Sequence, residues 1–135
     1  SKRLGIEEGL VISPPVFEFF LKNDALGDPF VNEAHIHFLN LATESELNLM
    51  KETTLKVNEL LKTLFESVNL LLVDFKLEFG RYHQQLILAD EITPDGCRIW
   101  DALTLEKLDK DRFRRDLGNV IEGYLEIAKR LQIKL

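Results

Sequence analysis

The sequence predicts an α+β domain in which an antiparallel sheet packs against helices. Three observations indicate it: short strand-like segments come first, a long segment with helical periodicity follows, and a hairpin and a second helical segment complete the chain. Strands and helices grouped in this order are typical of a sheet backed by helices. The length of 135 residues suits one domain with a real core, and no repeat or internal boundary interrupts it.

The first strands are predicted by apolar runs and by the residues that end them. Leu10–Ile12 is apolar and is soon followed by two prolines, which cannot donate to a β-ladder. Residues 16–23 are predicted to resume as a strand, because Phe17, Phe19 and Leu21 would lie on one face and Glu18, Phe20 and Lys22 on the other. Residues 24–32 contain glycine, aspartate and proline, and they are therefore predicted to form a loop.

Two amphipathic helices are predicted. Thr43 and Glu46 form a capping box, in which each side chain satisfies an exposed amide at the start of a helix that extends to about Asn69. The apolar stripe of this helix consists of Leu47, Met50, Val57, Leu61, Leu64, Phe65 and Val68. The second helix covers residues 119–132, and its apolar side consists of Val120, Ile121, Tyr124, Leu125, Ala128 and Leu131.

The strand predicted for residues 71–80 has one apolar face and one charged face. Side chains alternate along a strand, so Asp74, Lys76 and Glu78 share the charged face. The partner strand is Leu86–Ala89, which is apolar at four consecutive positions. We therefore expect it to be buried on both faces, up to the acidic pair that follows it.

The register of this hairpin decides whether its acidic residues meet. A loop of three residues, 83–85, would place Glu78 directly opposite Asp90, with Cβ atoms about 5 Å apart. Two carboxylates that close repel each other unless a cation or a proton lies between them. Mg²⁺ suits such a pair, and Lys76 on the same face could contact a phosphate. The residues thus predict a magnesium–nucleotide site; the alternative is a solvated sheet face.

Further along, a turn and a charged segment complete the pattern. Thr93-Pro94-Asp95-Gly96 has the composition of a tight turn and leads to Arg98. Residues 107–116 are dense in charges of both signs, which is typical of a solvated helix face or a mobile loop.

Composition and charge exclude several function classes. The net charge of -6 argues against a nucleic-acid partner, and no apolar run approaches the length of a membrane span. The start of the chain is not a signal peptide. The single Cys97 excludes an internal disulfide framework and fits a reducing compartment, so we expect a cytoplasmic protein without a catalytic thiol. The three histidines lack clustered partners, which argues against a zinc site.

Beyond these patterns, the chain resembles the C-terminal part of the SAICAR synthetases, a family of enzymes of purine biosynthesis. The resemblance runs nearly from end to end, and its motifs together are highly specific. The strongest matching segments are Leu72-Val73-Asp74-Phe75-Lys76-Leu77-Glu78-Phe79-Gly80, Ala89-Asp90-Glu91, Pro94-Asp95-Gly96-Cys97-Arg98-Ile99-Trp100-Asp101 and Asp109-Lys110-Asp111-Arg112-Phe113-Arg114. Further matching segments are Lys2-Arg3-Leu4-Gly5-Ile6-Glu7-Glu8-Gly9, Leu21-Lys22-Asn23-Asp24 and Asp28-Pro29.

The resemblance implies an ATP-dependent carbon–nitrogen ligase. Such an enzyme joins carboxyaminoimidazole ribonucleotide to L-aspartate and releases SAICAR, ADP and phosphate. The implied fold is ATP-grasp-like, with the nucleotide held between a smaller N-terminal domain and a C-terminal domain to which all 135 residues of this chain correspond. Catalysis would proceed by positioning and charge neutralisation, without a protein nucleophile.

The resemblance also assigns roles to single residues. Glu78 and Asp90 would bind Mg²⁺, Lys76 would act with them at the catalytic centre, and Lys22 and Lys76 would face the ATP. Arg98 would bind the phosphate of the ribonucleotide through its planar fork of donors. The segment that closes over ribonucleotide or aspartate would contain Lys110, Asp111 and Arg114. The matching positions without an implied role are Asp28 and Asp74.

One departure from the family pattern limits what this chain does alone. The family's glycine- and lysine-bearing nucleotide loop and its Arg-x-x-Ala-x-x-Ser phosphate motif precede the match at Lys2-Arg3, and neither is in this sequence. A missing N-terminal domain would have to supply them, so we expect the chain by itself to be inactive or nearly so.

Two other function classes stay open on the sequence. One is a different ATP-using phosphotransferase, such as a small-molecule kinase with the same two-carboxylate metal site. The other is a non-catalytic interaction module whose charged strand face is only solvated. The long helix and the apolar strands also offer surfaces for a homo-oligomer.

Overall fold

The computed structural model describes residues 5–109, 111–114 and 120–134. The chain divides into two compact units, Ser1–Thr53 and Thr54–Leu135. The elements in chain order are β1 (Phe19–Phe20), a 3₁₀ turn (Asp24–Leu26), β2 (Phe30–Val31), α1 (Glu33–Phe38), α2 (Glu44–Glu66), β3 (Leu70–Phe75), β4 (Glu78–Tyr82), β5 (Gln85–Ala89), β6 (Cys97–Asp101), α3 (Asp111–Arg114) and α4 (Val120–Arg130). The α+β class with antiparallel strands is confirmed. Of the helices described, none combines the length and apolar character of a transmembrane span.

The first unit is built on a short antiparallel ladder. Strand β1 pairs with β2, so that Phe19 lies opposite Val31. The strand predicted over residues 16–23 is present only at Phe19–Phe20. Its predicted faces are correct, because Phe19 and Leu21 pack against the core cluster of this unit while Phe20 and Lys22 are exposed. The strand expected at Leu10–Ile12 is wrong, since these apolar residues are exposed and unpaired to any strand.

Helix α1 was not predicted, because no element was assigned to residues 33–42. The loop predicted for residues 24–32 is only partly correct, since it contains the 3₁₀ turn and strand β2. Asn32 begins the helix: its side chain accepts a hydrogen bond from the backbone N–H of His35 (2.9 Å). The N–H of Asn32 donates in return to Nδ1 of His35 (3.3 Å). This capping box uses asparagine and histidine where serine or threonine and glutamate are usual. His35 therefore contributes to a helix start.

The capping box of the long helix is confirmed. The backbone N–H of Thr43 donates to Oε2 of Glu46 (2.8 Å), and the N–H of Glu46 donates to Oγ1 of Thr43 (3.3 Å). Helix α2 ends at Glu66, three residues before the predicted end near Asn69. Its apolar stripe is buried at Leu47 and Phe65.

In the second unit, the strand predicted for residues 71–80 is split into β3 and β4. Strand β3 pairs with β6, which the sequence did not predict, and a bulge interrupts the ladder between Leu72 and Asp74. Because the bulge inserts Val73, the alternation changes there. Leu70 is fully buried and Leu72 packs beside it, whereas Val73 is exposed. The prediction of one continuous apolar face on this strand is therefore wrong.

Strands β4 and β5 form a hairpin with a loop of two residues. Tyr82 pairs with Gln85, and His83 and Gln84 between them have positive φ angles of 47° and 63°. Two consecutive residues in this region form the type I′ turn that matches the twist of a hairpin. The expected three-residue loop over 83–85 is wrong.

The burial predicted for the second strand of this hairpin is also wrong. Leu86 and Ala89 are half-buried, but Ile87 and Leu88, which point to opposite faces, are 42% and 43% exposed. Within this chain, neither face of β5 is fully covered.

The core of the second unit lies between the β3–β6 ladder and the helices. It consists of Phe65, Leu70, Cys97, Ile99, Leu108 and Ile127. Helix α4 buries Ile127 and exposes Ile121, so its apolar side is rotated from the predicted one. The predicted start at Asn119 lies outside the described residues, as does the side chain of Val120.

A glycine lets α4 approach the chain just before α3. A Cβ atom on Gly123 would lie 2.7 Å from the backbone oxygen of Leu108, which is closer than van der Waals contact allows. The backbone of Leu108 is therefore held against the helix.

Candidate functional site

Lys76, in the link between β3 and β4, forms an ion pair with Glu78, the first residue of β4. Nζ of Lys76 lies 2.5 Å from Oε1 of Glu78, and the Lys76 side chain is 60% exposed. The backbone N–H of Lys76 donates to the oxygen of Gly96 (2.9 Å), which fixes the chain at this point. Since an exposed ion pair is weak, the lysine can exchange its carboxylate partner for a ligand.

Asp90 lies at the same end of the hairpin as Glu78. The residue opposite Glu78 is Ala89, so the predicted direct pairing of Glu78 with Asp90 is wrong by one residue. Asp90 follows the strand in a left-handed conformation (φ 70°), and its Oδ1 accepts a hydrogen bond from the N–H of Glu91 (3.0 Å). The two-residue loop explains the shift, because it moves every pairing by one position from that of a three-residue loop.

A protein-only metal cage is absent from the part of the chain that the structure describes. No group of three or more histidine, cysteine, aspartate or glutamate side chains there could hold a metal ion. Mg²⁺ needs no such cage, because one or two carboxylates, substrate phosphates and waters complete its coordination. Glu78 and Asp90 are oxygen donors of the type that Mg²⁺ takes, and they lie at the same end of the hairpin, one position from direct pairing.

Arg98 is held by two carboxylates. Its Nη1 donates to Oδ2 of Asp74 (2.7 Å), the residue across the β3–β6 ladder, and its Nε lies 3.3 Å from Oδ2 of Asp111. The Arg98 side chain is 43% exposed, whereas that of Asp111 is nearly buried. Asp74, to which the sequence assigned no role, therefore orients the guanidinium while leaving part of it open.

A buried carboxylate lies behind this arginine. Asp109 has no exposed surface, and its two oxygens accept hydrogen bonds from the backbone N–H groups of Ile99 (2.6 Å) and Asp111 (2.7 Å). Burial raises the pKa of Asp109, and the two N–H donors oppose that rise. Sequence reasoning missed this residue, because a charged segment is ordinarily solvated; its only signal was the matching Asp109-Lys110-Asp111 motif.

Lys22 belongs to the first unit, whereas the other candidates lie in the second. Its Nζ lies 3.3 Å from Oδ2 of Asp28 and 3.4 Å from Oδ1 of Asp24. Hydrogen bonding and charge from Asp28, followed by the charge of Asp24, raise the pKa of Lys22. Asp28 also accepts a hydrogen bond from the N–H of Asn23 (2.7 Å), so it organises the loop that presents the lysine.

Some of the sequence assignments fall outside what the structure describes. Lys110 lies outside the described residues, as do the side chain of Arg114 and the Lys2-Arg3 match. Of the segment predicted to close over substrate, the structure therefore places Asp111, which contacts Arg98.

An apolar cavity of about 280 Å³ lies beside the turn at Thr93–Gly96. The predicted turn is present, because the N–H of Gly96 donates to the oxygen of Thr93 (2.9 Å). Cys97 lines the cavity, and burial, followed by the charges of Asp74 and Asp109, raises its pKa to about 11. A thiol with a raised pKa has less thiolate, the nucleophilic form, than an ordinary cysteine at the same pH.

The fold and these side chains define a class of protein: an α+β chain that presents lysine, a planar arginine fork and hard carboxylate oxygens. The family model described as SAICAR synthetase matches residues 1–131. The chain belongs to the SAICAR synthetase family.

Individual relatives agree with this assignment. The chain is 61% identical over 135 residues to the phosphoribosylaminoimidazole-succinocarboxamide synthase of Acidithiobacillus ferrooxidans, with 100% of this chain and 56% of the relative covered. It is 59% identical over 134 residues to the enzyme of the same name from Pseudomonas aeruginosa, with 99% and 57% covered. The chain thus spans little more than half the length of these curated relatives.

Solved structures of the family share the fold. The phosphoribosylaminoimidazole-succinocarboxamide synthase of Ehrlichia chaffeensis matches with a TM-score of 0.92 and 49% identity, with 99% of this chain and 58% of that one covered. A SAICAR synthetase in complex with ADP matches with a TM-score of 0.91 and 46% identity, with 98% and 57% covered.

Proposed function

We propose that this chain forms the ATP- and ribonucleotide-binding part of a phosphoribosylaminoimidazole-succinocarboxamide synthase. The complete enzyme would join carboxyaminoimidazole ribonucleotide to L-aspartate with ATP, giving SAICAR, ADP and phosphate, in an ATP-grasp-like fold. The family match over residues 1–131 carries this proposal. The ADP complex of a related synthetase supports a nucleotide as the ligand.

The charged end of the hairpin would bind Mg–ATP. Glu78 and Asp90 would hold Mg²⁺, which when bound neutralises phosphate charge. Lys76 is well suited to the nucleotide phosphates, because its exposed ammonium already lies against Glu78 and needs only a change of rotamer to leave it. The family resemblance also assigns Lys22, in the loop of the first unit, to nucleotide binding.

Arg98 would bind the phosphate of the ribonucleotide. Asp74 and Asp111 hold its guanidinium in one orientation, and an arginine fork binds a phosphate through two parallel hydrogen bonds. Lys110, Asp111 and Arg114 would close over the ribonucleotide or the aspartate.

The reaction needs no nucleophile from the protein. The ribonucleotide carboxylate would take the γ-phosphoryl group of ATP, and the amine of aspartate would then displace that phosphate to form the amide. The contribution of the chain is positioning and charge neutralisation. The protonated, buried Cys97 is consistent with this chemistry and with a reducing cytoplasm.

Activity would require the rest of the enzyme. The chain covers 56% of the A. ferrooxidans relative, and the nucleotide loop and phosphate motif of the family are not in it. We therefore expect turnover only when the remaining domain is supplied. The complete enzyme for these tests is this chain joined to the part of the A. ferrooxidans relative that it does not cover.

A coupled assay of ADP release tests the proposed function. With ATP and carboxyaminoimidazole ribonucleotide present, the complete enzyme should release ADP in proportion to added L-aspartate, and the isolated chain should show almost none. Equal ADP release without aspartate would favour a phosphotransferase instead. A complete enzyme that binds neither ADP nor the ribonucleotide would favour an interaction module.

A further inference from the structure

The side chain of Asp109 joins two segments of the second unit, because it accepts a hydrogen bond from a backbone N–H of each. One oxygen accepts from Ile99 in β6 and the other from Asp111 at the start of α3. Among the described residues, the hydrogen-bond partners of this buried carboxylate are two backbone N–H groups, and a carboxylate is rarely fully buried, so its placement needs a reason. The two segments that it joins both belong to the surroundings of Arg98.

The geometry connects Asp109 to the arginine through two neighbouring residues. Ile99 is the residue after Arg98 in β6, and Asp111 is the residue whose carboxylate contacts Nε of Arg98. A single buried side chain therefore sets the separation of the arginine backbone and one of the two carboxylates that orient the guanidinium.

We propose that Asp109 is a positioning residue for ribonucleotide binding, which acts through Ile99 and Asp111 on Arg98 and does not touch the ligand. The proposal rests on the proposed function, in which Arg98 binds the ribonucleotide phosphate. Beyond that function, the proposal assigns a role to Asp109, which holds the Arg98 backbone at a fixed distance from the Asp111 carboxylate.

The chemistry of the side chain explains why aspartate stands at this position. Two backbone N–H donors point at it, and a carboxylate offers an acceptor oxygen to each. Asparagine has nearly the same shape but one acceptor oxygen, so its amide group would face a donor. One backbone N–H would then be left buried without an acceptor.

The surrounding backbone cannot easily adapt to that loss. The N–H of Leu108 donates to the oxygen of Ile99 (2.9 Å), so the residue before Asp109 is fixed to the same strand. Gly123 of α4 packs on the backbone of Leu108 at a distance that leaves no room for a Cβ atom. We therefore expect the change to displace the start of α3, where Asp111 lies.

Asp109→Asn in the complete enzyme tests the proposal, with Asp101→Asn as the matched control. Asp101 is also buried and accepts two backbone N–H bonds, from Leu103 (2.9 Å) and Thr104 (2.8 Å), but its other oxygen binds Arg130 and not Arg98. Both changes remove one charge from a buried aspartate of β6 or its neighbouring segment. Only Asp109→Asn is expected to change the position of Arg98.

Steady-state kinetics distinguish the two variants by the KM for the ribonucleotide and the KM for ATP. Asp109→Asn should raise the KM for the ribonucleotide by about tenfold or more, as a displaced binding group does, and leave the KM for ATP nearly unchanged. Asp101→Asn should change neither KM. Asp109→Glu, which restores both acceptor oxygens on a longer stem, should recover part of the ribonucleotide affinity.

Two outcomes separate the failure of this inference from that of the proposed function. Absence of ADP release by the unsubstituted complete enzyme would contradict the proposed function. Normal turnover of that enzyme together with an unchanged ribonucleotide KM in Asp109→Asn would overturn the positioning role, as would an equal rise in both KM values.

Amide hydrogen exchange of the unsubstituted enzyme keeps the inference testable if Asp109→Asn does not fold. The N–H groups of Ile99 and Asp111 should exchange at least about 100-fold more slowly than free peptide amides, because both are buried and bonded. Exchange at the rate of free peptides would show that the carboxylate does not hold them, and would overturn the proposal.

Discussion

The register of the β4–β5 hairpin can be tested by substituting glycine for one residue at a time in and next to its loop. In the observed two-residue loop, Gln84 has a φ of 63°, whereas Gln85 begins β5 in an extended conformation. In the three-residue loop suggested by the sequence, Gln85 would belong to the loop instead. Gln84→Gly and Gln85→Gly therefore form a matched pair of variants that differ by one position.

The expected magnitudes follow from the two backbone conformations. A left-handed conformation costs an L-residue about 1–2 kcal/mol, which glycine avoids. Glycine in turn loses about 0.5–1 kcal/mol through its greater entropy loss on folding. Gln84→Gly should therefore stabilise the second unit by about 0.5–1 kcal/mol, and Gln85→Gly should destabilise it by about the same amount.

Urea unfolding followed by circular dichroism measures this difference. Gln84→Gly should unfold at a higher midpoint than the parent protein and Gln85→Gly at a lower one, with unchanged slopes. If Gln85→Gly were the stabilising change, the loop would contain three residues, and Glu78 would lie opposite Asp90 after all.

Two further predictions concern ionisable groups of the second unit. Hydrogen bonds from the N–H groups of Thr104 and Leu103 and from Arg130 hold the pKa of Asp101 well below its usual range. The stability that Asp101 contributes is present above the unfolded-state pKa of about 3.9 and is lost as the pH falls from there. Asp101→Asn should therefore lose less stability than the parent protein on acidification, as acid unfolding would show. An unchanged acid-unfolding profile would contradict this role of Asp101. Cys97, whose pKa is raised to about 11 by burial, should react slowly with iodoacetamide at pH 8 in the folded protein and rapidly in urea. Equal reaction rates in the folded and the unfolded protein would show that the thiol is not buried.

The features predicted correctly from the sequence are those that local residues determine. The Thr43–Glu46 capping box needs only neighbouring side chains, and α2 begins where it lies. Helix α1 uses Asn32 and His35 for the same purpose, and this unusual pair gives no strong signal in a sequence. Local chemistry thus fixed both helix starts, although only one followed the common pattern.

The errors arose where pairing between distant segments decides the structure. Val73 is a bulge only because of how β3 meets β6, and nothing in its own neighbours requires it. His83 and Gln84 form a type I′ turn without the Asn-Gly sequence that usually marks one, so loop length could not be inferred.

At the candidate site, the charged residues were predicted from the sequence, but most of their ion-pair and hydrogen-bond partners were not. Lys76 and Glu78 were predicted to share a face, and the structure joins them in an ion pair. The contact of Arg98 with Asp74 depends on strand pairing, and the burial of Asp109 depends on how α4 covers its segment. These contacts are tertiary, which is why charge patterning alone did not identify them.

The central claim is that Glu78 and Asp90 hold the metal of an ATP-dependent synthase. The most direct measurement is the Mg²⁺ dependence of turnover in the complete enzyme with Glu78→Gln, Asp90→Asn and, as an exposed control on α4, Glu122→Gln. We expect kcat/KM for Mg–ATP to fall by about 100-fold or more in the first two variants, with the fold intact, and to be unchanged in the control. Parental rates in both site variants at saturating Mg²⁺ would contradict the account.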